Sequence, residues 1–124
     1  MEPLTPFELI GAEIGKGWWP LVEPIYDKIQ ALNVQGAQIE ISQIKENFGS
    51  LCILVNNAPG EIMTMIRDAE EKSIHICEHC GKPAQRVSNE YSWIYTLCSD
   101  CLKEKGVEVT ETLENPLIQT HRNV

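Results

Sequence analysis

The sequence predicts an α+β fold in which helices pack on a β-hairpin and a compact four-cysteine module follows. Three observations carry this. Apolar residues recur at helical spacing from Leu21 to Leu32. Two apolar runs flank a turn at Asn47 to Ser50. Cys77, Cys80, Cys98 and Cys101 form two C-x2-C pairs. At 124 residues the chain suits a single domain that buries roughly two thirds of its unfolded surface. Within it, residues 1–76 form the α/β portion, 77–106 the cysteine module and 107–124 a C-terminal extension.

The first element is expected at Thr5-Pro6-Phe7-Glu8, a capping box with proline at the first helical position. It predicts a short helix to about Ile14, ended by Gly15-Lys16-Gly17. The next helix carries Leu21, Ile25, Ile29 and Leu32 on one face. Pro20 suits its first turn, whereas Pro24 removes a backbone donor and predicts an irregular start. Residues 38–56 read as a β-hairpin, with Ile39, Ile41, Ile44 and Phe48 before the turn and Leu51 to Val55 after it. The change of parity between Ile41 and Ile44 predicts a bulge. A long helix follows from about Pro59 to Ser73, with Ile62, Ile66 and Ala69 inward and Arg67, Asp68, Glu70, Glu71 and Lys72 outward. The extension holds one β-like stretch, Val107 to Thr110, and orders only where it docks.

The cysteine spacing is the most specific signal. Seventeen residues, Gly81 to Leu97, separate the pairs, within the range of a C-x2-C…C-x2-C zinc site. Four thiolates close a tetrahedral shell and leave no position for water or substrate, so one structural Zn²⁺ is expected at Cys77, Cys80, Cys98 and Cys101. Gly81 supplies the positive φ of a knuckle. Asp100 in the first turn, Lys103 and Lys105 in the last, and Gly106 describe a short helix that starts at the second pair. A strand pair around Arg86-Val87 and Tyr91 to Leu97 lies between. Knuckle, strand pair and ligand-bearing helix predict a treble-clef module, with a zinc-ribbon-like, two-knuckle arrangement as the alternative. Two disulfides would need an oxidising compartment. Cys52, in Leu51-Cys52-Ile53-Leu54-Val55, reads as a small buried thiol.

Net charge is −8, with acids in excess in both halves. An acidic surface disfavours nonspecific phosphate-backbone binding and suits a basic partner. There is no run of about 18 apolar residues and no basic region leading into an apolar stretch at the N-terminus. A cytoplasmic protein with no membrane association is therefore expected.

Several separated motifs carry a resemblance: Gly17-Trp18 with Pro20-Leu21-Val22, Gln43-Ile44-Lys45-Glu46-Asn47-Phe48-Gly49-Ser50-Leu51, Ala69-Glu70-Glu71, Cys77-Glu78-His79-Cys80-Gly81-Lys82-Pro83 and Trp93-Ile94-Tyr95-Thr96-Leu97-Cys98. Over roughly residues 17 to 102 the chain resembles a family of small zinc-module proteins of bacteria and their phages, which has no settled biochemical activity. The resemblance implies a bacterial or phage cytosolic protein and nothing about catalysis. The N-terminal helix and the tail beyond Gly106 depart from it.

Enzyme motifs fail. Gly11-Ala12-Glu13-Ile14-Gly15-Lys16-Gly17 is one residue short of a phosphate loop and lacks Ser or Thr after the lysine. His75 and His79 flank Cys77 as in a treble-clef nuclease, but the helix after the second pair offers only Glu104 as a further ligand. A noncatalytic protein-binding module is expected. It would inhibit or neutralise a host or toxin protein, as anti-defence proteins, DNA mimics and immunity proteins do. Trp18 and Trp19 point about 100° apart on a helix, so one is core and the other a surface anchor. Together with Glu70 and Glu71 they are the candidate partner-binding residues. The alternative is a nucleic-acid-binding accessory protein that uses Lys82, Arg86, Trp93 and Lys103 of the module, where aromatic rings stack on bases. Glu90, Asp100 and Glu104 dilute that positive charge.

Overall fold

The computed structural model describes residues 14–113. The helix expected from Thr5 to about Ile14 and the tail beyond Leu113 lie outside them. The fold is α+β, with two small antiparallel sheets. A single 3-10 turn, Lys16–Trp18, leads into helix α1, Trp19–Val34. A hairpin of β1, Glu40–Asn47, and β2, Ser50–Asn56, precedes helix α2, Gly60–Ser73. The second sheet has β3, Gln85–Ser88, at its centre, flanked by β4, Ile94–Leu97, and β5, Glu111–Thr112. Helix α3, Ser99–Lys105, follows β4.

The first lobe is built by apolar burial. Val22, Ile25 and Ile29 of α1, Ile44, Leu51 and Ile53 of the hairpin, and Ile62, Ile66 and Ala69 of α2 form one buried cluster with Trp18 and Ile39. The expected α1 stripe is present, with Leu21 and Leu32 half-buried at its margin. The irregularity expected at Pro24 falls earlier. The 3-10 turn precedes the helix, Pro20 occupies its first turn, and the helix continues through Pro24. Asn33 closes the connection to β1 with a pair of bonds: its Nδ2 donates to Ile39 O, and its Oδ1 accepts from Ile39 N–H.

The hairpin pairs Asn47 with Ser50 and shifts register between Ile41 and Gln43, the expected bulge. Its two-residue turn is Phe48-Gly49, with φ of 53° and 78°. Positive φ at both positions is what a type I′ turn requires. Phe48 is therefore a turn residue and not a strand residue before the turn. Gly49 is needed twice over, since a Cβ there would lie 2.9 Å from the Ile94 Cγ2 atom.

A two-stranded hairpin leaves an outer edge of unpaired N–H groups. Helix α2 covers that edge of β2 with side chains. Leu51 N–H donates to Ser73 Oγ at 2.9 Å, and Ile53 N–H donates to Glu70 Oε2 at 3.0 Å. Ser73 Oγ in turn donates to Glu70 O. Glu70 thus completes the sheet, which corrects its placement among the outward-facing, partner-binding acids.

The second lobe has the knuckle, hairpin and helix order of a treble clef, not that of a two-knuckle ribbon. Gly81, at φ 85°, turns the knuckle, where Cys77 N–H donates to Lys82 O and Gly81 N–H to Cys77 O. Helix α3 starts directly after Cys98 and ends on Gly106 at φ 68°. The strand expected at Val107 to Thr110 instead forms at Glu111–Thr112. Thr110 N–H donates to Ser88 O and Leu113 N–H to Arg86 O, so the pairing partners on β3 set the register, not the local Val content. No helix among the described residues is long and apolar enough to cross a membrane.

Candidate metal centre and aromatic groove

The knuckle brings Cys77 and Cys80 together, and the first turn of α3 with its preceding residue brings Cys98 and Cys101 to face them. All four Sγ atoms lie within 4.8 Å of one another, with Cys80 and Cys98 Sγ 3.6 Å apart. A disulfide needs about 2.05 Å, and all four thiols are free. Cys77, Cys98 and Cys101 are buried, while Cys80 is exposed. Apart from these three cysteines, the cluster they form has one further buried member, Leu97, with Ala84, Tyr95 and Leu102 packed half-buried against it.

The electrostatics fit a cation at the centre. Burial raises the Cys77 thiol, but backbone N–H groups of Cys98, Cys80 and His79 outweigh it and bring the pKa down to about 7. Cys80 is drawn down by the Lys82 N–H, but burial and the thiols of Cys77 and Cys98 win and raise it. Burial first, and then the three neighbouring cysteines, push Cys101 up. Four sulfurs this close resist joint ionisation, and a divalent cation reverses that repulsion by favouring every thiolate at once. The donor set fits one tetrahedral metal ion.

His79 and Glu104 also come near Cys101, with ligand atoms within 4.8 Å of each other. Cys101 belongs to the four-sulfur set, so this triad is not a separate centre. His75 lies exposed at the start of the knuckle, outside the triad.

The two lobes meet along a seam that the sequence motifs only partly announce. Trp18 is 0% exposed and its Nε1–H donates to Ile76 O at 2.7 Å. This corrects its candidacy as a partner contact: its ring is core and its polar atom fastens the knuckle to α1. Trp19 is half-buried and donates to Glu23 Oε2 at 2.9 Å. Gly17 N–H donates to Glu78 O at 3.1 Å. A Cβ on Gly17 would stand 2.1 Å from Cys77 O, and one on Gly15 2.0 Å from Glu78 O. The Gly15-Lys16-Gly17 stretch is therefore a close-packing device against the knuckle.

Thr96, 0% exposed, is the hub of the seam. Its hydroxyl donates to Gly49 O at the hairpin tip. Its carbonyl accepts from Glu78 N–H, and its own N–H donates to Glu78 Oε2. Burial raises the pKa of the Glu78 carboxyl, and the Thr96 N–H opposes this by stabilising the charged form. Glu46 nearby adds a raising, like-charge effect.

Compared with family models, curated proteins and solved structures, the chain finds no match. The site must be read from its own geometry.

Beside the seam, the hairpin tip and the β3–β4 loop form a groove of about 450 Å³ lined by Glu46, Asn47, Phe48, Tyr91, Ser92, Trp93 and Ile94. Its three aromatic residues are exposed, Phe48 at 69%, Tyr91 at 73% and Trp93 at 66%. Tyr95, by contrast, packs half-buried on the cysteine cluster. The loop is locked from within: Asn89 Oδ1 accepts from both Tyr91 N–H and Trp93 N–H, and Asn89 N–H donates to Trp93 O. Glu46 Oε1 accepts from Gly49 N–H at 2.7 Å and braces the tip. Phe48 and Ser92 both hold positive φ, which for a bulky side chain costs about 1–3 kcal/mol. A strained phenylalanine that remains in solvent is not repaid by its own burial.

The other sequence candidates scatter. Glu71 is exposed on α2. Lys82 lies exposed on the knuckle, 3.7 Å from Asp100. Arg86 is half-buried on β3, and Lys103 is exposed on α3. None of these bases lines the groove that holds Trp93. The sequence reading missed Phe48 as an exposed turn residue and Asn89 as the loop's lock. The F-G turn between two apolar runs and the N-x-Y-x-W spacing were the available signals.

Proposed function

We propose that this chain is a noncatalytic, zinc-stapled binding module that engages a basic protein partner. The observation that carries the reading is the convergence of exposed Phe48, Tyr91 and Trp93 with Glu46 on one pre-shaped groove. Aromatic rings presented at low ordering cost are what interaction hot spots use. The metal supports the groove from behind, because β4 carries both Ile94 of the groove and Thr96 of the seam. Zinc is the ion proposed. A tetrahedral site with Zn–S bonds of about 2.3 Å puts its sulfurs roughly 3.8 Å apart, close to the 3.6 Å between Cys80 and Cys98. Four sulfur donors also leave no open coordination position for substrate.

The acidic excess and the resemblance to small bacterial and phage proteins together favour a cytoplasmic accessory protein that blocks or tethers a basic host or toxin protein. Single-stranded nucleic acid is the second reading, supported by the exposure of Trp93. It is weakened because none of Lys82, Arg86 and Lys103 lines the groove.

The test is capture of partners on the immobilised, metal-loaded chain from bacterial lysate, with and without nuclease. The reading expects a stoichiometric basic protein that survives nuclease. Its affinity should fall with Glu71→Lys and Trp93→Ala and hold with Lys82→Ala. Recovery that depends on nucleic acid and disappears with Lys82→Ala and Lys103→Ala would overturn it.

A further inference from the structure

Resting on that reading and sharpening it, we infer that the groove between the hairpin tip and the β3–β4 loop receives an arginine side chain from an extended segment of the basic partner. The guanidinium stacks on the Trp93 and Phe48 rings, and Glu46 supplies the countercharge.

Charge and chemistry at the groove select this occupant. Its wall contains three aromatic side chains and one carboxylate, and no lysine or arginine. Glu90 stands exposed in the same loop as Tyr91 and Trp93. A planar cation is the group that an aromatic wall with an acid beside it attracts, through the ring quadrupole and the carboxylate together. Phosphate is the group it repels. Lysine offers the charge without the plane, so arginine is favoured over it. A purely apolar segment would leave Glu46 facing an uncharged partner at its cost.

Rigidity points the same way. Asn89 fixes both Tyr91 and Trp93 through their backbone N–H groups, and Glu46 is fixed by Gly49. The Phe48 ring is held outward by a turn that a glycine would occupy with less strain. The occupant thus meets a surface already ordered, and the ordering cost of binding falls mainly on the partner.

The experiment titrates the full, metal-loaded chain with an alternating arginine–glycine octapeptide, its lysine–glycine counterpart and a thymidine oligonucleotide. It follows the indole N–H resonance of Trp93 separately from those of Trp18 and Trp19. The arginine peptide should shift the Trp93 signal and bind more tightly than the lysine peptide. Affinity should fall roughly 3- to 30-fold in Trp93→Ala and in Phe48→Gly. Phe48→Gly keeps the fold because glycine suits the positive φ at that position. Glu46→Gln should also weaken binding, while its amide oxygen still accepts from Gly49 N–H.

Equal arginine-peptide binding by wild type and all three variants would overturn the groove as the site and leave the basic-partner reading standing. Oligonucleotide binding that shifts Trp93 and is lost in Trp93→Ala, with no response to either peptide, would overturn both. Tighter binding of the lysine peptide would overturn the assignment of arginine alone.

Discussion

The two lobes of this molecule are held together by different physics. In the α/β lobe, eleven buried residues from the 3-10 turn, both helices and the hairpin form a continuous core. In the module that follows, the buried cluster is three cysteines and one leucine, and Val87 of β3 is buried besides. At about 25 cal/mol per Å² of apolar surface, the first cluster has the material to fold by burial and the second does not. The module must draw its stability from elsewhere: from the seam to its larger neighbour and from whatever ion its four sulfurs, placed to hold one, take up. The difference teaches that a module with little core of its own can still carry a surface: its second sheet bears the strand and loop on which Ile94, Trp93 and Tyr91 meet the hairpin tip.

The harshest way to break the comparison is Cys77→Ser. Metal affinity in such modules is folding free energy, about 10–16 kcal/mol in isolated zinc peptides. The variant should retain no metal by elemental analysis and lose structure from about residue 77 onward, while helical circular dichroism from α1 and α2 persists. Trp18→Ala attacks both lobes at once. Loss of a fully buried ring and of the bond to Ile76 should lower the unfolding free energy by about 3–5 kcal/mol in denaturant melts. Gly17→Ala sharpens the picture, because its Cβ meets knuckle backbone that cannot step aside. We expect about 3 kcal/mol of destabilisation and faster metal loss to a chelator, with the core of the first lobe intact. Thr96→Val removes one hydroxyl from the seam and should cost about 1–2 kcal/mol, read as increased exchange at the hairpin tip.

Acidification offers a fifth handle, one on the module alone. Cys80 and Cys101 have raised pKa values and are thiols at neutral pH, so metal loading must release their protons. Cys77, at about 7, is partly ionised there already. Protons therefore compete with the metal. Apparent affinity should fall as the pH drops through 7 and below, and loading in weak buffer should acidify the solution. A metal affinity independent of pH would contradict thiolate ligation.

Much of this architecture was legible because local rules and the fold agree. The α1 stripe, the Ile62, Ile66 and Ala69 face, the bulge after Ile41 and the two cysteine pairs all follow from spacing alone. What the sequence concealed are roles that depend on tertiary neighbours. Glu70 looks like one more acid on a solvated face, and only the unpaired edge of β2 makes it a hydrogen-bond acceptor. Trp18 and Trp19 are equivalent in a helical projection until the knuckle arrives to accept the Trp18 N–H. Gly15 and Gly17 read as a helix stop, whereas their lack of side chains matters because Cys77 and Glu78 carbonyls press against them. Phe48 reads as a residue of the strand before the turn, and the positive φ of a two-residue turn places it in solvent instead. Strand β5 formed where β3 offered unpaired groups, directly after the stretch with β propensity. The clustering of the four cysteines was the most legible part of the site, since four cysteines at that spacing have few other uses. The groove was the least legible, since its walls come from two loops about 45 residues apart in sequence.

Hydrogen exchange on the full chain, compared before and after removal of metal by a chelator, tests this account most directly. The account predicts that protection collapses from residue 77 through β4 and α3 and at the Phe48-Gly49 tip, while α1 and α2 keep theirs near Ile25, Ile29 and Ile66. Uniform loss across both lobes, or no loss in the module, would contradict it.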